Sequence, residues 1–107
     1  MYYYNVTCRV EPGIESEWLK WMIEVHIPEV LASQCFVECK LLRLMQEDNN
    51  QDGPIYAVQY VYKKTESFEK YTTHFGPALK QKTWDKYGDK VLAFRTNLEI
   101  LHTFQPA

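Results

Sequence analysis

The sequence predicts an α+β fold whose elements run strand, helix, strand, strand, helix, strand. Three observations carry that prediction. Apolar residues alternate with a period of two near residues 2–10 and 91–101. They recur at helical spacing near 14–32 and 65–87, and Gly and Pro clusters punctuate the segments between. A chain of 107 residues holds one such unit, so residues 1–107 are expected to form a single domain.

The first strand places Tyr2, Tyr4, Val6, Cys8 and Val10 on one face and Tyr3, Asn5, Thr7 and Arg9 on the other. Glu11-Pro12-Gly13 is a turn that stops it. Ile14, Trp18, Trp21, Met22 and Val25 then form a helical stripe, opposed by Glu15, Glu17, Lys20 and Glu24. Pro28 predicts a break near His26-Ile27, followed by a short helical piece through Ala32. Phe36 to Gln46 is rich in strand formers but alternates poorly, and Glu47 to Pro54 is a polar loop. Ile55 to Tyr62 is the third strand. Thr65 is the expected N-cap of a second helix with the inward stripe Phe68, Tyr71 and Phe75, interrupted at Gly76-Pro77 and ended by Gly88. Val91 to Leu101 is the last strand, with Leu92, Phe94, Thr96, Leu98 and Ile100 alternating against Ala93, Arg95, Asn97 and Glu99.

Two interleaved βαβ units with right-handed crossovers give a four-stranded antiparallel sheet in the order 4-1-3-2, with both helices on one face. The helices are expected to cover the side bearing Tyr4, Val6 and Cys8 together with Leu92, Phe94 and Leu98. The opposite face then carries a polar cluster of Asn5, Thr7, Gln59, Arg95 and Asn97, mixed with Tyr3, Ala57, Val61 and Ala93. That intermediate polarity suits packing against a second copy, back to back, in a dimeric α+β barrel. The expected partner is therefore a second copy of the chain, through the open sheet face.

Composition excludes several classes. With 12 basic and 14 acidic residues the formal net charge is −2, which argues against a broadly basic nucleic-acid binder. No uninterrupted apolar run exceeds four residues, so no membrane partner is expected. The segment Met1 to Asn5 lacks the marks of a signal peptide, and the expected location is cytoplasmic. Three cysteines, Cys8, Cys35 and Cys39, cannot all pair within one chain and are read as free thiols. Cys35-x3-Cys39 with His26 superficially suggests a metal, but neither His74 nor His102 supplies a second ligand pair at a recognised interval. No metal is expected, and no cofactor: the four glycines form neither a phosphate loop nor a dinucleotide motif.

His26 is the first candidate for chemistry. Beside a proline break it can act as a general base or ligand-orienting group in a helix–sheet cleft, or simply cap the helix C-terminus through a ring N–H. The expected pocket lies where the broken helix faces the sheet, lined by Trp18, Trp21, His26, Tyr60 and Phe94. Arg95, with Asn5, Thr7 and Gln59, suits a planar anion on the open sheet face, or else is an interface arginine paired with Glu99 or Glu38 from either subunit.

Several stretches carry a resemblance. Tyr4-Asn5-Val6-Thr7, Trp18-Leu19-Lys20-Trp21-Met22, His26-Ile27-Pro28-Glu29-Val30-Leu31-Ala32, Leu41-Leu42-Arg43, Tyr56-Ala57-Val58-Gln59-Tyr60, Pro77-Ala78-Leu79 and Phe94-Arg95-Thr96 resemble the bacterial domain-of-unknown-function family numbered 4286. The resemblance implies a ferredoxin-like fold of the dimeric α+β barrel kind and supplies no catalytic residues. Three functions stay open: a homodimeric domain that binds a small, partly apolar molecule; a cofactor-independent enzyme of the monooxygenase or isomerase type, permitted by analogy of fold; and a regulatory or structural interaction domain.

Overall fold

In the computed structural model, residues 1–45 and 52–107 are described. Strand β1 (Tyr2–Val10) leads through a 3-10 turn (Pro12–Ile14) into helix α1, residues 15–32. Strands β2 (Glu38–Arg43) and β3 (Ile55–Tyr62) follow, then helix α2, residues 65–87, a second 3-10 turn (Gly88–Lys90) and strand β4 (Val91–Glu99). The strands form one sheet in the order β2-β3-β1-β4, every neighbouring pair antiparallel. This is the predicted order seen from the other edge.

Both helices pass through their prolines instead of breaking. Pro28 has no N–H to give the carbonyl four residues earlier, and its ring crowds that carbonyl. The chain answers by widening the preceding turn. Met22–His26 is a π-helical turn in which the Ile27 N–H reaches the Met22 carbonyl. Pro77 repeats the arrangement: Tyr71–Phe75 is π-helical and the Gly76 N–H reaches the Tyr71 carbonyl. The extra residue in the turn changes which side chains face the sheet. Trp18, Met22, His26 and Val30, each four residues apart, turn inward, whereas Val25 of the predicted stripe is exposed.

Other boundaries shift for local reasons. Thr65 is the first helical residue, not the N-cap; that position falls to Lys64, and no side chain caps the turn. Phe36 precedes β2 and is buried against Tyr60 and Tyr71, outside the strand ladder. Gln46 and residues 47–51 of the predicted loop lie outside the described residues. At the end of that loop Gly53 has φ 109°, and a Cβ there would lie 1.9 Å from the Val10 carbonyl oxygen, so the turn requires glycine. β4 stops at Glu99, where the Ile100 N–H bonds to the Met1 carbonyl.

One expectation about the sheet is corrected. Antiparallel register pairs Tyr4 with Asn97, Val6 with Arg95 and Cys8 with Ala93, so Arg95 and Asn97 lie on the helix-facing side. Leu92, Phe94 and Leu98 pair with Arg9, Thr7 and Tyr3 and lie on the bare face. A strand's side-chain period is two, so a shift of one residue in register exchanges every side chain between faces. Asn5, Thr7 and Gln59 remain together on the bare face, where Asn5 Nδ2 donates to Thr7 Oγ1 at 3.0 Å and to Thr96 Oγ1 at 3.3 Å.

Candidate functional site

The helices do not cover the sheet evenly. Over β3 and the first half of β1 the aromatic rings close the layer: Tyr4, Phe36, Tyr60, Phe68 and Tyr71 pack with ring centroids 4.9–6.4 Å apart. Toward the edge strand β4 a gap remains. It is a cavity of about 280 Å³ between α1, the second half of α2 and the helix-facing side of β1 and β4. Trp18, Tyr60 and Tyr71, all buried, form its depth, and Arg95, Lys80 and Trp84, all exposed, form its rim.

The wall on the α1 side owes its shape to the π-helical turn, which brings His26 into the row of Trp18 and Met22. The imidazole stacks on Trp21, centroids 5.0 Å apart and planes at 22°. Trp21 also meets Tyr87 edge-on. The N-terminus of α1 is pinned to β3 by the Tyr56 hydroxyl, which donates to the Glu15 carboxylate and accepts from Arg43 Nε.

Burial lowers the His26 pKa below its ordinary value; Glu29 opposes the effect, and Arg95 and Lys82 add to it. The imidazole is therefore neutral near pH 7, with the free lone pair of a base. Lys80 is pushed down as well, first by burial and then by repulsion from Arg95. Burial pushes the Cys8 thiol up to about 11 and the Cys39 thiol up to about 12, so neither is a nucleophile at neutral pH. Tyr60 and Tyr71 are raised by the same cause.

The predicted pocket residues divide. Trp18, His26 and Tyr60 line one cavity; Trp21 stands behind His26 as its stacking partner; Phe94 points away on the bare face. Arg95 leaves the predicted polar cluster and joins His26 at the cavity, while Asn97 accepts a hydrogen bond from the Tyr62 hydroxyl at 2.7 Å. Within the chain no ion pair joins Arg95 to Glu99 or Glu38 among the described residues, and Glu38 instead faces Lys40. His26 caps nothing, because α1 continues through it to residue 32. Lys80 escaped sequence reasoning. The signal was present in the spacing of Leu79, Thr83 and Tyr87, which sets the inward side of α2 and leaves Lys80 at its margin.

All three cysteines are free, Cys8 and Cys35 buried and Cys39 half-buried in β2. Among the described residues no three His, Cys, Asp or Glu side chains gather as metal ligands, and no helix is long and apolar enough to cross a membrane.

Comparison with known proteins adds a family and a fold. Residues 1–101 match the model of the family described as "Domain of unknown function (DUF4286)". No curated protein matches the sequence. Among solved structures the chain is similar to a protein of the ethyl tert-butyl ether D (EthD) family from Bacillus halodurans. The TM-score is 0.71 at 15% identity, over 94% of this chain and 100% of that one. It is similar also to a dimeric ferredoxin-like protein from an uncultured marine organism, with TM-score 0.63 and 14% identity over 96% and 97% of the two chains. A third neighbour is a variant of MhuD with two manganese protoporphyrin IX molecules bound per active site, with TM-score 0.62 and 16% identity over 97% and 99%. At such identities the likeness establishes the ferredoxin-like fold alone.

Proposed function

The chain belongs to the DUF4286 family, and from its own geometry we propose that it is a single-domain homodimer that binds a small, partly apolar molecule in the cleft between α1, α2 and β4. One observation carries the reading: a cavity of about 280 Å³, floored by Trp18 and Tyr60, with His26 on its wall and Arg95 at its rim. Its size is near the lower end of small-molecule sites, and an aromatic lining with a few converging polar groups is their usual make-up. The MhuD neighbour takes its tetrapyrroles on the same fold, which supports ligand binding as a use of this architecture.

Dimerisation through the bare sheet face is supported by three features of that face. Leu92, Phe94 and Leu98 are exposed on it, Asn5 Oδ1 is a buried acceptor without a partner among the described residues, and a structural neighbour of the same fold is dimeric. Such an interface is expected to bury more than about 1,000 Å² in total.

A second reading, a cofactor-independent enzyme, is favoured by the pairing of His26 with Arg95. A neutral imidazole accepts a proton and the guanidinium stabilises the resulting anion. A regulatory or structural interaction domain, the third possibility, is the less favoured reading because a purely structural role predicts a filled cleft.

The test is an NMR titration with the neutral probe 2-naphthamide at millimolar concentration. Shifts confined to Trp18, Val91, Ala93 and the His26 ring are expected, and His26→Ala should weaken them without moving the unfolding transition. Shifts confined to the bare face, or none, would overturn the assignment of the cleft.

A further inference from the structure

The charges around the cleft are unevenly resolved. Along α2, Lys82 reaches Glu29 at 2.7 Å and Lys86 reaches Glu17 at 3.6 Å, so two of its lysines are neutralised by carboxylates of α1. Lys80, on the cavity side of the same helix, forms no ion pair among the described residues, and neither does Arg95 across from it on β4. No Asp or Glu lines the cavity among the described residues, although the chain as a whole holds 14 acidic residues against 12 basic ones. Two cations thus face one concave site with no anion lining it to balance them; burial first, and then repulsion from Arg95, lowers the Lys80 pKa.

We propose that the ligand of this cleft is a small organic carboxylate, its anionic end held between Arg95 and Lys80 and its apolar body lying over Trp18 and Tyr60. The inference rests on the reading of the cleft as a ligand site and adds the chemical class. The guanidinium is a planar fork that matches a carboxylate bidentately, and Lys80 supplies a second, more mobile charge at the rim. The body must be apolar because the depth of the cavity is aromatic, and the charge must sit at the rim because both cations are there. A phosphate is the poorer match. The first turn of α1 reaches the cavity only through Trp18, an apolar side chain, and the first turn of α2 does not line it, so no row of backbone N–H groups of the kind phosphate sites use is seen there among the described residues.

The proposal is tested with three probes that share one ring system and differ in charge: 2-naphthoate, 2-naphthamide and 2-naphthylmethylamine, titrated calorimetrically into the full chain. Naphthoate should bind about tenfold more tightly than the amide, the size of one charge-assisted hydrogen bond, and the amine should bind least. Arg95→Gln should remove most of the acid-over-amide preference while leaving the amide affinity in place. Lys80→Gln should remove a smaller part, and Arg95→Glu should turn the preference toward the amine. Equal binding of acid and amide by the unaltered protein would overturn the carboxylate and leave the cleft as a ligand site. Failure of all three probes to bind would overturn both. An acid preference that survives Arg95→Gln and Lys80→Gln together would also overturn the proposal.

Discussion

Tyr60 and Phe94 lie in the same sheet, on strands separated only by β1, and their exposures are 3% and 69%. The difference is one of face. On the helix-facing side the rings of Tyr4, Phe36, Tyr60 and Tyr71 satisfy one another within the chain, and the layer is closed. On the bare side Phe94, Leu92 and Leu98 have no helix above them. The first arrangement stabilises the monomer by burial, roughly 25 cal/mol for each square ångström of apolar surface removed from water. The second gains little from folding, and its apolar surface would be removed from water only in the proposed dimer. The cleft belongs to neither regime: it is the strip of the covered face, along β4, that the helices leave open.

The largest effect that sharpens this contrast is Trp18→Ala. Trp18 is 1% exposed and packs on Tyr56 at 5.1 Å between centroids, so truncation leaves a hole under α1. A loss of about 3–5 kcal/mol is expected in denaturant unfolding. Phe94→Ala, an aromatic truncation on the other face, should change monomer stability by less than about 0.5 kcal/mol. Comparable losses for the two would break the distinction between the faces.

Phe94→Asp comes next. A carboxylate set into the proposed dimer interface has no partner and must be desolvated. The expected outcome is a monomer in sedimentation at micromolar concentration, with an unchanged far-ultraviolet spectrum. A dimer that survives the change places the interface elsewhere.

The contrast also marks how far the sequence could be read. Strand order was legible because alternation in β1 and β3 and the stripes of both helices leave few right-handed ways to connect four strands. The faces of β4 were not. Leu92, Phe94 and Leu98 look like a core-facing row, and in a lone monomer that reading is the natural one. Which row faces the helices is fixed by register against β1, and register is set by pairings between residues some ninety positions apart, with no local mark. Assigning Phe94 to the pocket and Arg95 to the bare face followed from that one unreadable choice. The prolines were legible as interruptions, but Pro28 and Pro77 do not state whether a helix stops or widens. The π-helical turns that rotate His26 inward and Val25 outward depend on the continued packing of Val30 and Leu79 beyond them.

The smallest effect concerns His26, and it separates a buried imidazole in the cleft from one merely resting on the surface. Burial is the leading cause of its lowered pKa; Glu29 from its own helix opposes it, while Arg95 of β4 and Lys82 of α2 reinforce it, and Lys80 stands at the same rim. The folded protein thus holds the ring neutral at pH values where the unfolded chain, with an ordinary histidine pKa of about 6.5, already takes up a proton. Between the folded value and about 6.5 the unfolded state binds more protons, so stability rises with pH across that window. The contribution is fully present above about 6.5 and is lost as pH falls through the folded value. Urea unfolding of the parent and of His26→Gln, followed from about pH 5 to about pH 8, should show a constant difference between the two stability curves above about 6.5, with the parent losing stability relative to the variant as pH falls below it. Groups that do not interact with His26 contribute equally to both curves and drop out of the difference. Curves that stay parallel throughout would mean that the ring titrates as freely in the folded protein as in the unfolded chain. Its burial against Trp21 would then place no constraint on its charge, and the neutral base of the enzymatic reading would lose its physical basis.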